Sequence, residues 1–163
     1  QYIVDQHPKN EVVVPAKARI GQIMIRRGDE QGAEALFQKI LADYKDHPRL
    51  AEAVHRMADG YLDQAIAIEQ DAAKQMGAAK YAQTVREQGR PEAVKNYCRW
   101  AIEKWQITIR ELPPAPRYTE QAWYFTGVVY RRHLGEPEKA LPYYQKVVDA
   151  WGRSTNTPGA PRP

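Results

Sequence analysis

The stretch "RRGDEQGAEALFQKILADYKDHPRLAEA" (residues 26–53) combines a glycine turn, an amphipathic segment and a proline stop. Gly28 ends a preceding stripe of apolar residues, and Asp29 can cap the helix that follows it. Apolar side chains then recur every three or four residues, at Ala33, Leu36, Phe37, Ile40 and Leu41. The pattern stops before Pro48. The stretch therefore predicts a helical hairpin, with two helices joined by a short turn.

The same signature occurs three times along the chain. A turn glycine is followed by an alanine and, four residues later, by an aromatic residue: Gly28, Ala33 and Phe37; Gly89, Ala93 and Tyr97; Gly135, Ala140 and Tyr144. A small residue also lies on the helix before each turn, at Gly21, Ala58 and Gly127. Because antiparallel helices cross closely only where small residues meet, the signature predicts three hairpins. A lone hairpin cannot bury its apolar face, so the hairpins should stack.

In these residues the chain resembles the tetratricopeptide repeat, whose helices carry Trp, Gly and Tyr followed by Ala, Phe and Pro. The third hairpin matches that pattern at Trp123, Gly127, Tyr130, Ala140 and Tyr144. The first hairpin matches at Gly21, Gly28, Ala33, Phe37 and Pro48. The resemblance implies an all-α, right-handed α-solenoid of about three hairpins. We expect one domain over residues 1–152 and a disordered Pro-rich tail over 153–163.

The middle hairpin departs from the family period of about 34 residues. Ala58 and Ala93 lie 35 residues apart, where the equivalent residues of the outer hairpins lie 12 and 13 apart. The middle hairpin is therefore predicted to be enlarged, by an extended first helix or by an extra helix over residues 62–88. The sequence leaves open whether this insertion fills the binding groove of the solenoid.

The first residues suggest a wider context. "YIVDQHPKN" mirrors "ILADYKDHPR", so the chain is expected to begin in the tail of a preceding repeat, as part of a longer solenoid. This sequence pattern is similar to that of repeats in bacterial envelope proteins. The similarity favours a location in the periplasm or envelope and leaves the cytoplasm as an alternative.

Several functional classes are disfavoured. The net charge of +4 comes from basic residues interleaved with acids, so no nucleic-acid partner is expected. No apolar run reaches the roughly 18 residues of a membrane span. The four histidines lack metal-ligand spacing, and Cys98 is expected to be a buried thiol. No catalytic motif is present, so we expect a non-enzyme without metal or cofactor.

The resemblance implies that the first helix of each hairpin lines a concave binding face. Helical spacing places eight candidate partner-binding residues there: Gln22, Arg26, His55, Asp59, Tyr124, Val128, Arg131 and Arg132. In the sharper hypothesis, Tyr124 and the two last arginines bind an acidic, extended peptide. In the alternative, they are solvated residues at a helix end.

The function expected from these features is a protein–protein interaction scaffold or adaptor that binds a protein or peptide partner. A structural or oligomerisation domain of a larger bacterial envelope protein is an alternative, with homodimers forming through the solenoid ends. A small-ligand groove lined by tyrosines and tryptophans is the third interpretation.

Overall fold

A computed structural model describes residues 11–155, with side chains described as far as Gly152. That part of the chain is all-α and contains no strand. Its helices are α1 (Val13–Arg26), α2 (Glu30–Asp43), α3 (Leu50–Met76), α4 (Ala78–Gln88), α5 (Glu92–Arg110), α6 (Pro116–Val129) and α7 (Pro137–Thr155), with a π-helical turn (Tyr130–Leu134) after α6. The all-α solenoid class predicted from the sequence is confirmed.

The first hairpin forms as its sequence predicts. Gly28 ends α1 with a positive φ of 76°, a conformation that glycine adopts without steric cost. The side chain of Asp29 then caps α2 by accepting a hydrogen bond of 2.9 Å from the backbone N–H of Gly32. The two helices pack against each other through Ala33 and Phe37, which are fully buried.

Three hairpins stack along the chain: α1 with α2, α3 with α5, and α6 with α7. Helix α3 contacts both α1 and α6, whereas α1 and α6 do not touch each other. The first helices of the three hairpins therefore lie side by side, in the order of the sequence. One continuous apolar core runs through the stack, from Val14 on α1 to Val129 on α6.

The middle hairpin is enlarged, and it contains both a longer helix and an extra one. Helix α3 runs for 27 residues before Gly77, with a φ of +88°, ends it. Helix α4 then folds back and contacts α3 alone among the described helices.

One carboxylate on α3 ties this insertion to the rest of the fold. Glu69 accepts hydrogen bonds from the hydroxyl of Tyr81 on α4, from Nε of Arg90, and from Nδ1 of His133 in the π-turn. Its donors thus come from α4, from the loop before α5 and from the third hairpin. Although burial would raise the pKa of Glu69, the hydrogen bonds from His133 and Arg90 hold that pKa below its usual value.

The ends of several helices differ from the sequence-based boundaries. The helical spacing predicts a helix over 119–133, but this helix begins at Pro116, since proline fits the first position of a helix. It changes to π geometry at Tyr130 instead of running on to His133. The sequence also predicts that the last helix ends near Trp151, but the helix continues to Thr155. The expected tail beyond residue 155 and the repeat-like start at 1–10 lie outside the described residues.

The single cysteine behaves as expected. Cys98 is fully buried on α5, and burial, followed by the negative charge of Glu69, raises the pKa of its thiol to about 12. Within residues 11–155 no helix has the length and apolar character that crossing a bilayer requires.

Candidate functional site

A groove of about 600 Å³ follows the first half of α6. Its lining residues are Pro116, Arg117, Glu120, Gln121, Tyr124 and Phe125. Tyr124 is 49% exposed, yet its ring is held between two aromatic neighbours, with centroid distances of 5.4 Å to Phe125 and 6.3 Å to Tyr144. The groove therefore presents a large, positioned and solvent-accessible ring.

An aromatic cluster between α3, α5 and α6 fixes the wall of this groove. The ring of Trp105 on α5 stacks on Phe125 at 5.7 Å. The imidazole of His55 on α3 lies 5.9 Å from both Phe125 and Tyr118 on α6. Because Trp105 is fully buried and His55 nearly so, Phe125 is supported from behind by rigid packing.

His55 and Asp59 form a pair whose protonation is unusual. Burial, and then the positive charge of Arg56, lower the pKa of His55 to about 4. Burial and the negative charge of Asp63 raise the pKa of Asp59 to about 6, against an opposing effect of Arg56. The Nε2–Oδ1 distance is 3.6 Å. At neutral pH the contact therefore joins a neutral imidazole to a carboxylate, and it is not an ion pair.

Of the predicted site residues on the first two hairpins, some are buried by a neighbouring helix and others are exposed to solvent. Gln22 is buried between α1 and α3, where its Nε2 donates to the backbone carbonyl of Arg56 at 2.6 Å. His55 is buried in the aromatic cluster, and Asp59 beside it is partly exposed. Gln22 and His55 therefore pack the helices together, because the neighbouring helix covers the face on which the sequence placed them.

Arg26 is exposed at the end of α1. It lines a separate shallow cleft of about 440 Å³ with Arg19, Ile23 and Arg27. Since α3 lies between α1 and α6, the structure does not bring Arg26 to the groove that contains Tyr124.

The remaining predicted residues lie beyond the groove on the third hairpin. Val128 is half-buried, and Arg131 and Arg132 are exposed on the π-turn. Arg131 follows Tyr124 by seven residues, which corresponds to about 10 Å along a helix axis. Gly135, with a φ of 70°, ends the turn. Single π-turns within helices are frequent at functional sites, and this one carries two exposed arginines that are consecutive in sequence.

Of the six residues that line the groove, only Tyr124 is among the eight candidates; the other five are Pro116, Arg117, Glu120, Gln121 and Phe125. Because the spacing predicts a helix that begins at Thr119, it predicts Pro116 and Arg117 in a loop. A proline that can open a helix at its first position was the available signal. Within the described residues, no group of histidine, cysteine and carboxylate side chains could hold a metal ion.

Comparison with known proteins agrees with this architecture. The family model of the tetratricopeptide repeat matches residues 19–47 and 121–154, which fall in the first and third hairpins. Searches of curated proteins and of solved structures gave no significant match. The likeness to bacterial envelope proteins stays a prediction. The chain therefore contains two tetratricopeptide repeats, and these flank an enlarged middle hairpin.

Proposed function

We propose that the chain is a non-catalytic interaction module that binds an extended segment of a partner protein in the α6 groove. The observation that carries the proposal is Tyr124, whose ring is half exposed, lines a groove of about 600 Å³ and contacts two neighbouring aromatic rings. Tyrosine is among the residues that contribute most to protein–protein binding. Tetratricopeptide repeats are typically interaction modules without catalysis, so neither a cofactor nor a reaction is part of the proposal.

The charges around the groove favour an acidic segment. Arg117 lies in the groove, and Arg131 and Arg132 lie beyond its end, whereas Glu120 is the single acid among the lining residues. Guanidinium groups bind carboxylates through two parallel hydrogen bonds. A partner segment with an aromatic or apolar contact for Tyr124 and acidic residues on both sides of it would match this arrangement.

Helix α4 leaves the groove open in the described part of the chain. It contacts only α3, and no residue between 62 and 88 lines the groove. The sequence left open whether the insertion blocks the binding face; the packing of α4 supports a groove that a partner can enter.

The test is a selection of binders from a random peptide library displayed on phage, followed by affinity measurements with labelled peptides. Arg131→Glu/Arg132→Glu should weaken binding of the selected peptides at least tenfold. Lys80→Glu/Arg86→Glu on α4, which makes the same charge change on exposed residues, should change it less than twofold. Equal losses in both variants would refute the groove as the site, because only overall charge would then matter.

A second candidate function has its own observation in its favour. The outer side of α7 exposes Leu141 by 67% and Val148 by 62%, seven residues and two helical turns apart. Such an apolar stripe on the last helix favours an oligomerisation surface at the end of the solenoid. Light scattering of the wild type and of Leu141→Lys/Val148→Lys tests it: a wild-type dimer that the variant converts to a monomer would support it.

The small-ligand groove stays a prediction, as does the expectation that nucleic acid is not a partner.

A further inference from the structure

A second cleft, of about 250 Å³, lies between α2 and α5. It is lined by Glu30, Gln31 and Glu34 from α2, by Tyr61 from α3, and by Trp100, Glu103 and Lys104 from α5. It shares no lining residue with the α6 groove. Its volume lies below the roughly 300–1,000 Å³ of small-molecule pockets, so it suits one inserted side chain.

Side chains hold this cleft open. The backbones of α2 and α5 do not contact each other, and two polar bridges span the gap between them. Nζ of Lys104 lies 2.7 Å from Oε2 of Glu34, and the hydroxyl of Tyr97 donates to Oε1 of Glu30. These two bridges join helices whose backbones do not pack against each other. The cleft between the helices is therefore a defined feature of the fold.

The cleft already accommodates one cation of the chain itself. Lys104 is 5% exposed, and its ammonium lies 4.6 Å from the ring centroid of Phe37 and 5.9 Å from that of Tyr61. A buried ammonium is costly unless it is paired, and aromatic faces attract cations. The surroundings of Lys104 therefore stabilise positive charge.

An aromatic ring remains available beside this internal cation. Trp100 is 36% exposed, although helical spacing predicts it in the core. Its ring makes edge contacts with Tyr97 at 5.2 Å and with Tyr61 at 5.7 Å. These neighbours restrict the orientation of the indole, and part of its surface stays in contact with solvent.

The charge of the cleft is negative. Glu30, Glu34 and Glu103 contribute three carboxylates against the one ammonium of Lys104. Glu103 is exposed and has no ion-pair partner within the described residues. The field of the carboxylates is also felt by Tyr61, whose pKa is raised by burial and then by Glu34, Glu30 and Glu103.

We propose that this cleft binds an arginine side chain from a basic segment of a partner protein, with the guanidinium against Trp100 and paired with Glu103. Arginine fits better than lysine because its planar group can stack on an indole while it donates two hydrogen bonds to one carboxylate. This site is separate from the α6 groove and does not depend on the function proposed for that groove.

The test uses Nα-acetyl-arginine amide as the probe and the uncharged, nearly isosteric Nα-acetyl-citrulline amide as its control. Two-dimensional ¹⁵N NMR follows the indole N–H signals of the tryptophans, and Trp100→Phe identifies the signal of Trp100. We expect a saturable shift of that signal by the arginine probe, with a dissociation constant on the order of millimolar. The citrulline compound should produce no saturable shift.

Variants separate this site from general electrostatics. Glu103→Gln, at an exposed position, should weaken binding of the arginine probe at least fivefold. Glu87→Gln removes the same charge from α4, also at an exposed position, and should leave binding within twofold of the wild type. The proposal is overturned if citrulline shifts the Trp100 signal equally, if both variants weaken binding alike, or if the shift does not saturate at probe concentrations well above the millimolar range.

Discussion

Gly127 on α6 lies directly against the ring of Tyr144 on α7: a Cβ atom at position 127 would come within 2.8 Å of Cε1 and 3.0 Å of Cδ1 of that ring. The two helices of the third hairpin therefore approach each other over a residue without a side chain. The same two residues belong to the repeated pattern of the sequence, a small residue on the first helix and an aromatic residue on the second.

Gly127→Ala is expected to lower the free energy of unfolding by about 1–3 kcal/mol, because the added methyl group overlaps the Tyr144 ring. This loss should outweigh the gain of roughly 1 kcal/mol that alanine normally brings to a helix interior. Urea unfolding followed by circular dichroism measures the difference.

Two further variants test the physical cause of that loss. Gly127→Ala/Tyr144→Leu should lose less than the sum of the two single changes, since the smaller side chain leaves room for the methyl group. Gly152→Ala, where an added Cβ meets no atom within 4 Å, should not be destabilising. A Gly127→Ala variant as stable as the wild type would show that the helices can move apart at little cost.

His55 and Asp59 are expected to make opposite contributions to the pH dependence of stability. The folded-state pKa of His55 is about 4, below its usual 6.5, so the unfolded chain binds the extra proton and stability rises with pH between those values. The folded-state pKa of Asp59 is about 6, above its usual 3.8. The folded chain therefore binds the extra proton, and stability falls as pH rises between those values.

Single variants should separate the two contributions. Relative to the wild type, Asp59→Asn should gain stability as pH rises from about 4 to about 6, and His55→Phe should lose stability over the same range. The His55 effect is limited to about 3 kcal/mol, and the Asp59 effect should be smaller because solvent screens its partly exposed side chain. For each variant, the difference in unfolding free energy from the wild type is followed against pH. Slopes of the same sign for the two variants would contradict the opposite pKa shifts assigned to His55 and Asp59.

Glu69→Gln is expected to loosen the inserted helix α4. The change keeps the shape of the side chain but removes the charge that Arg90 and His133 contact. Leaving these groups incompletely paired should cost about 1–3 kcal/mol, with faster amide exchange in Ala78–Gln88. Glu87→Gln on α4 itself, at an exposed position, is the matched control. Unchanged exchange in α4 would show that its other contacts with α3 are enough to hold it.

Tyr124→Ala should affect binding far more than folding. Because the ring is about half exposed, its loss should change the free energy of unfolding by less than about 1 kcal/mol. The affinity for peptides selected on the wild type should fall at least tenfold if the ring is an anchor of the interface. Leu141→Ala removes an exposed apolar side chain from α7 and should preserve affinity. An equally large loss of affinity in Leu141→Ala would indicate that peptides bind at the end of the solenoid instead.

The turns and hairpins could be predicted because they depend on local chemistry. Gly28, Gly89 and Gly135 all have positive φ, of 76°, 79° and 70°, at the three turns that the spacing predicts. Gly77 could likewise be expected to interrupt the long helix, because glycine is costly within helices and common at their ends.

The candidate sites were less predictable because they depend on how neighbouring helices cover one another. Helical spacing assigns Gln22 and His55 to a side of a helix, but it does not say that another helix lies against that side. The opposite holds for Trp100: its spacing is that of a core residue, yet α2 and α5 stay far enough apart to leave it partly exposed. Distances between helices arise from the whole packing arrangement and cannot be obtained from one stripe of residues.

The most direct test of the central claim is an amide hydrogen-exchange footprint of the chain with and without a peptide selected for binding. Binding in the α6 groove predicts protection concentrated in Pro116–Val129 and the π-turn that follows, with little change in α4 and on α7. Protection confined to α7, or to the facing surfaces of α2 and α5, would contradict the groove as the partner-binding site.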